Sequence, residues 1–151
     1  MTMVHETETG WRGSREGWLD AAYTVLIREG IDAVKILPLA EQLRLSRTSF
    51  YWHFDNRDAL LLALAEMWAD RTTHPLIAAT RETCETETEA MLNVIGCFLR
   101  PETFDAKLEF AMRGWGLNDP AIMARVTDAD QERLGALVEM LERWGHSPHD
   151  A

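Results

Sequence analysis

The side chains best suited to chemistry are concentrated between Leu43 and Leu60. This stretch contains the consecutive run Phe-Tyr-Trp-His-Phe at positions 50–54, preceded by serine, threonine and arginine. An exposed group of aromatic, hydroxyl and guanidinium side chains is suited to DNA, where hydroxyls and arginines bind phosphate oxygens and base edges. The chemistry that this composition favours is therefore recognition of a nucleic acid.

No other part of the sequence has the pattern of a catalytic or metal site. The histidines are scattered without a His-Glu-x-x-His pair, and the cysteines form no Cys-x-x-Cys motif. No glycine-rich phosphate loop occurs, and the carboxylates recur at spacings typical of solvated helix faces. The sequence therefore predicts a protein that is not an enzyme and that uses no metal and no cofactor. The histidines are His5, His53, His74, His146 and His149.

Helical geometry divides the aromatic run into an inner and an outer face. Ser46 is suited to an N-cap because its hydroxyl can accept from the free amides of the following turn. At about 100° per residue, Phe50 and Phe54 share one face, and Thr48 and Trp52 lie nearly opposite. Five consecutive large side chains cannot all point inwards, so some of those at positions 51–53 must lie on the surface of a short helix.

This short helix needs flanking elements that position it. The pattern predicts a first helix over 14–28, a second from Pro38 to Leu43, a turn, the short helix, and a fourth helix from residue 55 or 56 to about Arg71. His74-Pro75 is expected to break the chain, after which residues 75–81 could form one short helix. Further helices are predicted over 91–100, 104–115 and 120–144. No strand pattern occurs, so the predicted fold class is all-α.

The pattern Leu-x-Leu-Ser-x-x-x-Phe-Tyr-x-His-Phe-x-x-Arg-x-x-Leu, from Leu43 to Leu60, resembles the DNA-reading signature of the tetracycline-repressor (TetR/AcrR) family. The likeness extends over roughly residues 14–72. It implies an N-terminal three-helix head with a helix-turn-helix, joined by a long fourth helix to a C-terminal helical body that binds a ligand and dimerises. It further implies a homodimer on a palindromic double-stranded DNA operator. A small-molecule inducer would separate helices of the body, swing the fourth helix and so release the repressor.

The sequence departs from the family pattern at several positions of the head. Lys35 replaces the usual serine or threonine cap of the second helix, and Arg44 replaces the glycine of the turn. These two cations are either phosphate contacts or solvated surface. Arg57 stands where the family has lysine, at a helix start where a cation opposes the helix dipole, so we expect it to contact phosphate.

The expected DNA contacts lie in and around the short third helix. They include His53, which in this family supports the head or touches the DNA backbone. They also include Thr48, where the family often has glycine, whose methyl and hydroxyl groups can contact base edges. The full set is Lys35, Arg44, Ser46, Arg47, Thr48, Ser49, Tyr51, Trp52, His53 and Arg57.

Charge is distributed unevenly along the chain. The net charge is −10, yet residues 14–57 carry six cations and six carboxylates, whereas residues 58–151 carry eight cations and seventeen carboxylates. The neutral head only weakly passes the test of a basic DNA-binding surface. Two rival functions therefore stay open: a constitutive DNA-binding regulator without an inducer, and a helical interaction module or enzyme that has lost DNA binding.

We divide the chain into an N-terminal arm over 1–13, a helix-turn-helix domain over 14–58 and a regulatory body over 59–151. The arm is expected to be flexible, although Arg12 could reach a minor groove. Ser147-Pro148 resembles the opening of a further helix, and the family usually continues with two helices that build the dimer. We therefore expect the dimer surface to need residues beyond 151, the alternative being a short family member.

Large apolar side chains in the predicted body could form either a ligand cavity or a solid core. They are spread over four predicted helices, and methionine and aromatic groups suit both arrangements. A small apolar ligand is the inducer that such a cavity would bind. The candidate ligand-binding residues are Trp68, Met91, Phe98, Phe110, Met112, Trp115 and Met123.

The remaining features concern the compartment. Cys84 and Cys97 are thirteen positions apart and cannot pair within one helix. Two free thiols without a signal peptide predict a cytoplasmic protein. The apolar run from Leu60 to Ala65 is far too short to span a bilayer.

Overall fold

The computed structural model describes residues 12–151, and within this range the chain is all-helical without a strand. This confirms the predicted fold class. The chain divides into two compact units, an N-terminal unit that ends at Leu64 and a C-terminal unit over Ala65–Ala151. The division lies inside the fourth helix, a few residues after the domain boundary that the sequence suggested.

The N-terminal unit is built from three complete helices and the start of a fourth. Ser14 caps the first helix by accepting from the Gly17 amide at 3.0 Å. The second helix begins at Ile36, two residues before the predicted start at Pro38. Pro38 is tolerated in the first turn because the amides of that turn have no helical partner, so the amide that proline lacks is not needed. The elements are α1 Arg15–Glu29, a 3₁₀ turn Ile31–Ala33, α2 Ile36–Leu43, α3 Arg47–Phe50 and α4 Arg57–Trp68.

The core of this unit is centred on the ring of Phe50. Phe50 and Trp18 are both fully buried, and their rings meet edge to face with centroids 5.3 Å apart. Phe54 stacks on the other side of Phe50 at 5.5 Å. Aromatic pairs of this kind contribute about 0.5–1.5 kcal/mol beyond the burial of their area. These contacts hold α3 against α1.

The predicted chain break at His74-Pro75 is wrong. α4 is followed by a π-helical turn, Ala69–Thr73, which leads directly into α5, His74–Thr80. The His74 amide donates to the Ala69 carbonyl five residues earlier, as in a π-helix. Such turns insert an extra residue into a helix, and Pro75 lies in the first turn of α5, where its missing amide is tolerated. Helical structure therefore continues from Arg57 to Thr80.

The C-terminal unit contains three further helices, each capped by a side chain. Thr86 accepts from the Glu89 amide, Asp105 from the Leu108 amide, and Asp119 from the amides of the first turn that Pro120 opens. The cap-plus-proline signal at Asp119 is thereby confirmed. The helices are α6 Glu87–Leu99, α7 Ala106–Gly116 and α8 Pro120–Arg143.

A buried ion pair between α7 and α8 lies inside this unit. Arg133 of α8 and Glu109 of α7 are both buried, and their side chains are joined at 2.9 and 3.0 Å. The same guanidinium donates to the hydroxyls of Thr72 and Thr73 in the π-helical turn, each at 2.9 Å. Arg133 thus ties the π-helical turn to α7 and α8.

The carboxylate of Glu109 has further donors. The indole of Trp68 donates to it at 2.6 Å, and Arg113 donates to its other oxygen at 2.8 Å. Burial alone would raise the pKa of Glu109, but the hydrogen bonds from Arg133 and Trp68 and the nearby positive charge outweigh it, so the pKa lies below its ordinary value. Glu109 is therefore ionised at neutral pH although it is buried.

Two further observations bear on the sequence predictions. Both cysteines are free, and burial raises the pKa of the Cys97 thiol above its usual value. Across residues 12–151, the search for a helix of sufficient length and apolar character to cross a membrane found none.

We predict that Arg133→Met destabilises the C-terminal unit by about 3–5 kcal/mol, because it leaves the Glu109 carboxylate buried without its partner. The double substitution Arg133→Met with Glu109→Leu should recover most of this loss, since it removes both charges together. Urea denaturation of the three proteins gives the comparison. Equal destabilisation by the single and double variants would contradict the pairing.

The lowered pKa of Glu109 also sets a pH dependence. The ionised pair contributes fully above the ordinary carboxyl value of 4.5, and the contribution is lost as the pH falls through the lowered folded-state value. The stability advantage of the natural protein over Glu109→Gln should accordingly be present at neutral pH and shrink in acid.

Candidate nucleic-acid interface

The turn between α2 and α3 is set by the backbone of Arg44. Its φ of 56° and ψ of 40° are left-handed, and it is the one non-glycine residue with positive φ in the described part of the chain. The next amide, of Leu45, donates to the Ala40 carbonyl at 2.9 Å and closes the end of α2. The sequence indicated this strained position, and the structure shows it. An arginine there costs free energy that a glycine would not.

Ser46 opens α3 as predicted. Its hydroxyl accepts from the Ser49 amide at 3.2 Å, and the Ser49 hydroxyl donates back to the Ser46 carbonyl at 2.5 Å. These reciprocal bonds fix the first turn of α3 without any other element. Because Ser49 is fully buried, its side chain does not belong to the exposed surface on which the sequence placed it.

After Phe50 the helix tightens. The amides of Tyr51, Trp52 and His53 each donate to the carbonyl three residues earlier, which gives a turn narrower than the predicted continuous helix. Phe50 and Phe54 point inwards as expected. Tyr51 is 46% exposed and Trp52 is 58% exposed.

The outer surface of α3 and its following turn therefore combines cationic, hydroxyl and aromatic side chains. We call it the α3 surface, and its members are Arg47, Thr48, Tyr51 and Trp52.

Arg57 has a structural role that the sequence did not predict. Its Nε donates to the Val34 carbonyl at 2.7 Å, and a second guanidinium nitrogen donates to the Ile31 carbonyl at 3.2 Å. These bonds tie the start of α4 to the 3₁₀ turn after α1. These two bonds explain why a cation stands at the start of α4, and no phosphate contact is needed for that explanation. A DNA contact by Arg57 therefore stays a prediction.

Lys35 and Arg44 are both exposed, which fits either of the alternatives left open for them. Lys35 occupies the N-cap position of α2 and makes no side-chain hydrogen bond there. Serine or threonine at that position would satisfy a free amide and would add roughly 1 kcal/mol.

Arg12 lies beside the interface, although the sequence named it only as an arm residue that could reach a minor groove and not among the expected DNA contacts. The Arg12 guanidinium lies over the Trp52 ring, with its central carbon 3.6 Å from the ring centroid. The Arg12 carbonyl lies 3.1 Å from Nε2 of His53 and 3.4 Å from the indole nitrogen of Trp18. Nothing in the sequence indicated the contact between Arg12 and His53, because these residues are 41 positions apart.

The predicted ligand-binding residues do not share one environment. Trp68, Met112 and Trp115 are buried, and the two indoles donate to Glu109 and Asp119. Phe110 is 75% exposed, and Met91 and Phe98 are exposed on α6. Met123 is half-buried.

The C-terminal unit does contain a cavity of about 300 Å³, but it is lined by residues other than the predicted ligand-binding ones. It lies where the end of α5, the following loop and the end of α8 meet. It is lined by Thr80, Arg81, Glu82, Thr83, Cys84, Ala90, Met140, Arg143 and Trp144.

A helix, a tight turn and a second short helix with an exposed outer surface define the class of helix-turn-helix proteins. The sequence profile described as "Bacterial regulatory proteins, tetR family" matches residues 19–64, which include this arrangement. This N-terminal segment is therefore similar to that family, as the resemblance of the Leu43–Leu60 pattern predicted.

Individual relatives agree with the profile. The chain is 46% identical over 55 residues to the tetracycline repressor protein class A from transposon 1721 of Escherichia coli, covering 36% of this chain and 26% of the relative. It is 41% identical over 69 residues to the class D repressor of Escherichia coli, covering 45% and 32%. The class G repressor of Vibrio anguillarum is 41% identical over 63 residues, covering 40% and 30%.

The likeness is thus confined to part of each protein. The matched segment spans about a quarter to a third of the length of these curated relatives. No solved structure gave a significant match.

We predict that Arg44→Gly separates the stability of the head from its DNA affinity. Removing the side chain relieves the left-handed strain, so the protein should be unchanged or more stable by up to about 1 kcal/mol. If Arg44 binds phosphate, DNA affinity should fall for every sequence alike, and its salt dependence should become shallower. Thermal melting and DNA titrations at several salt concentrations measure the two effects. Unchanged DNA affinity would place Arg44 among the solvated residues.

Proposed function

We propose that this chain is a DNA-binding transcriptional repressor that reads its operator in the major groove with the α3 surface. The observation that carries the proposal is the orientation of α3. Phe50 and Phe54 fix its inner side, while Arg47, Thr48 and Trp52 remain exposed on the outer side. Arginine and threonine in this position are suited to hydrogen bonds with guanine and to contact with the thymine methyl group.

The charge distribution is compatible with this role. The many carboxylates that make the chain acidic lie mostly after residue 57, and the N-terminal segment over 14–57 is neutral. Lys35, Arg44 and Arg47 are exposed around the helix-turn-helix. A few well-placed cations are sufficient to position a duplex, and base contacts then supply the sequence preference.

We predict that Arg47→Ala and Thr48→Ala each reduce discrimination between the preferred site and unrelated DNA. The expected loss is about 1–3 kcal/mol of specific binding, because each variant removes a contact to a base edge. The measurement is an electrophoretic mobility shift with the upstream region of the protein's own gene, in competition with unrelated duplex.

A matched control is Arg28→Ala, which removes one exposed arginine at the far end of α1. Its effect on discrimination should be negligible. Equal losses on specific and unrelated DNA from Arg47→Ala and Thr48→Ala would contradict base reading. Failure of the natural protein to bind any part of the upstream region would contradict the proposed function itself and favour a helical interaction module.

We further propose that a small ligand in the C-terminal unit releases the repressor. The cavity of about 300 Å³ supports this, since its volume is within the range of small-molecule sites. Thr80, which lines it, ends the helical run that begins at Arg57 in the N-terminal unit. A ligand that binds better to one arrangement of this helical run would change the fraction of protein molecules that can bind DNA.

The walls of the cavity indicate the ligand. Met140, Ala90 and Trp144 supply apolar surface, and Arg81 and Arg143 supply positive charge. Glu82, Thr80 and Thr83 also line the cavity, so its walls are apolar in part and polar in part. We propose a small ligand with an apolar body and an acidic group that pairs with these arginines.

We predict that small aromatic carboxylates raise the melting temperature and lower operator affinity together. Alanine substitution of Trp144 should abolish both effects, because it removes an apolar wall of the cavity. Thermal shift and DNA titration with the same compound series provide the test. Compounds that stabilise the protein without any effect on DNA binding would contradict coupling between cavity and DNA.

A constitutive regulator without an inducer is the second candidate. The observation that favours it is the dispersal of the predicted ligand-binding residues between the packed core and the surface. In that case no compound in the series should change DNA affinity.

A homodimer in the cytoplasm is the form in which we expect the protein to act. Apolar side chains exposed on α6 and Leu134 on α8 support an interface between copies. Two linked heads would bind a palindromic site more tightly than a single half-site. The exposed apolar residues of α6 are Met91, Leu92, Ile95, Phe98 and Leu99.

A further inference from the structure

The segment before α1 is attached to the end of the α3 surface. The Arg12 guanidinium is in van der Waals contact with the face of Trp52, at 3.6 Å from the ring centroid. Trp52 is itself 58% exposed, so this contact is formed on the outer side of the head. A cation over tryptophan at an exposed site contributes only about 0.5–1 kcal/mol, which is not enough to hold a terminal segment.

Two backbone contacts add to the attachment. His53 Nε2 lies 3.1 Å from the Arg12 carbonyl, and the indole nitrogen of the buried Trp18 lies 3.4 Å from the same oxygen. Trp18 is part of the core that also contains Phe50. The Arg12 main chain is therefore fixed to the same packing that orients α3.

We propose that Arg12 is a DNA-phosphate contact of the α3 surface, and that His53 is the residue that positions it. This inference rests on the proposed DNA-binding function. A guanidinium that stacks on an aromatic ring keeps its N–H donors in its own plane, where they can bind the oxygens of a phosphate. Arg12 adds a positive charge beside Trp52, whereas residues 14–57 of the head have a net charge of zero.

His53 acts through Arg12 in this arrangement. Its ring is half-buried, and Nε2 must carry the proton in order to donate to the Arg12 carbonyl. A glutamine side chain has an amide donor at a similar distance from the backbone, whereas alanine has none. His53→Gln should therefore retain much of the function that His53→Ala loses.

The test measures DNA affinity as a function of salt for the natural protein, Arg12→Ala and the control Arg28→Ala. Arg28 lies thirteen residues after Arg15 on α1, about 20 Å along the helix axis, and carries the same charge. We expect Arg12→Ala to weaken binding about tenfold on specific and unrelated DNA alike. The slope of log affinity against log salt should become shallower by about 0.9. Arg28→Ala should leave both values unchanged.

The role of His53 is tested by a double-mutant cycle. If His53 acts through Arg12, His53→Ala weakens binding in the natural protein but not in the Arg12→Ala background. A loss of the same size in both backgrounds would show that His53 contacts DNA directly, and would overturn its role as a positioning residue.

The outcomes also separate this proposal from the proposed function. Binding by the natural protein with an unchanged salt slope for Arg12→Ala overturns the Arg12 contact alone. If Arg12→Ala lowers only the melting temperature, the stacking on Trp52 is structural and the contact is likewise overturned. Absence of DNA binding by the natural protein overturns both proposals.

Discussion

The packing of Phe50 between Trp18 and Phe54 is the constraint on which the head depends. It decides which members of a run of five large side chains are buried, because the inner side of α3 has room for Phe50 and Phe54 only. Tyr51 and Trp52 are therefore left exposed, where Tyr51 meets the edge of Phe50 and Trp52 is covered on one face by Arg12. The same packing carries Trp18, whose indole fixes the Arg12 carbonyl. Core and candidate DNA-binding surface are thus two sides of one short element.

Local patterns in the sequence were sufficient for much of this arrangement. The inward direction of Phe50 and Phe54 follows from helical periodicity, and the cap at Ser46 follows from hydrogen bonds within one turn. The left-handed backbone at Arg44 was indicated because the family has glycine there. What could not be predicted depends on distant residues. The Arg57 side chain bonds to carbonyls 23 and 26 positions away, and the π-helical turn is held by Arg133, about sixty positions away.

The two units use polar groups in different ways. The N-terminal unit has an aromatic core and exposes Arg47, Thr48 and Trp52 at its surface. The C-terminal unit buries an arginine and a glutamate among threonines and a tryptophan, and each side-chain nitrogen of Arg133 and each carboxylate oxygen of Glu109 makes a hydrogen bond. Networks of this kind specify one arrangement more than they add stability. The ligand-dependent release that we propose would require the C-terminal unit to break or exchange these bonds.

We propose that the outer side of α3 contacts DNA. The most direct measurement is a ¹⁵N NMR titration that follows the indole N–H signals while a duplex from the upstream region is added. The Trp52 indole should shift strongly, because it is exposed beside Arg47 and Thr48. The indoles of Trp68 and Trp115 donate to Glu109 and Asp119 in the C-terminal unit and serve as internal references that should remain in place. DNA binding that leaves the Trp52 signal unchanged, or that shifts the Trp68 and Trp115 signals more, would contradict the account.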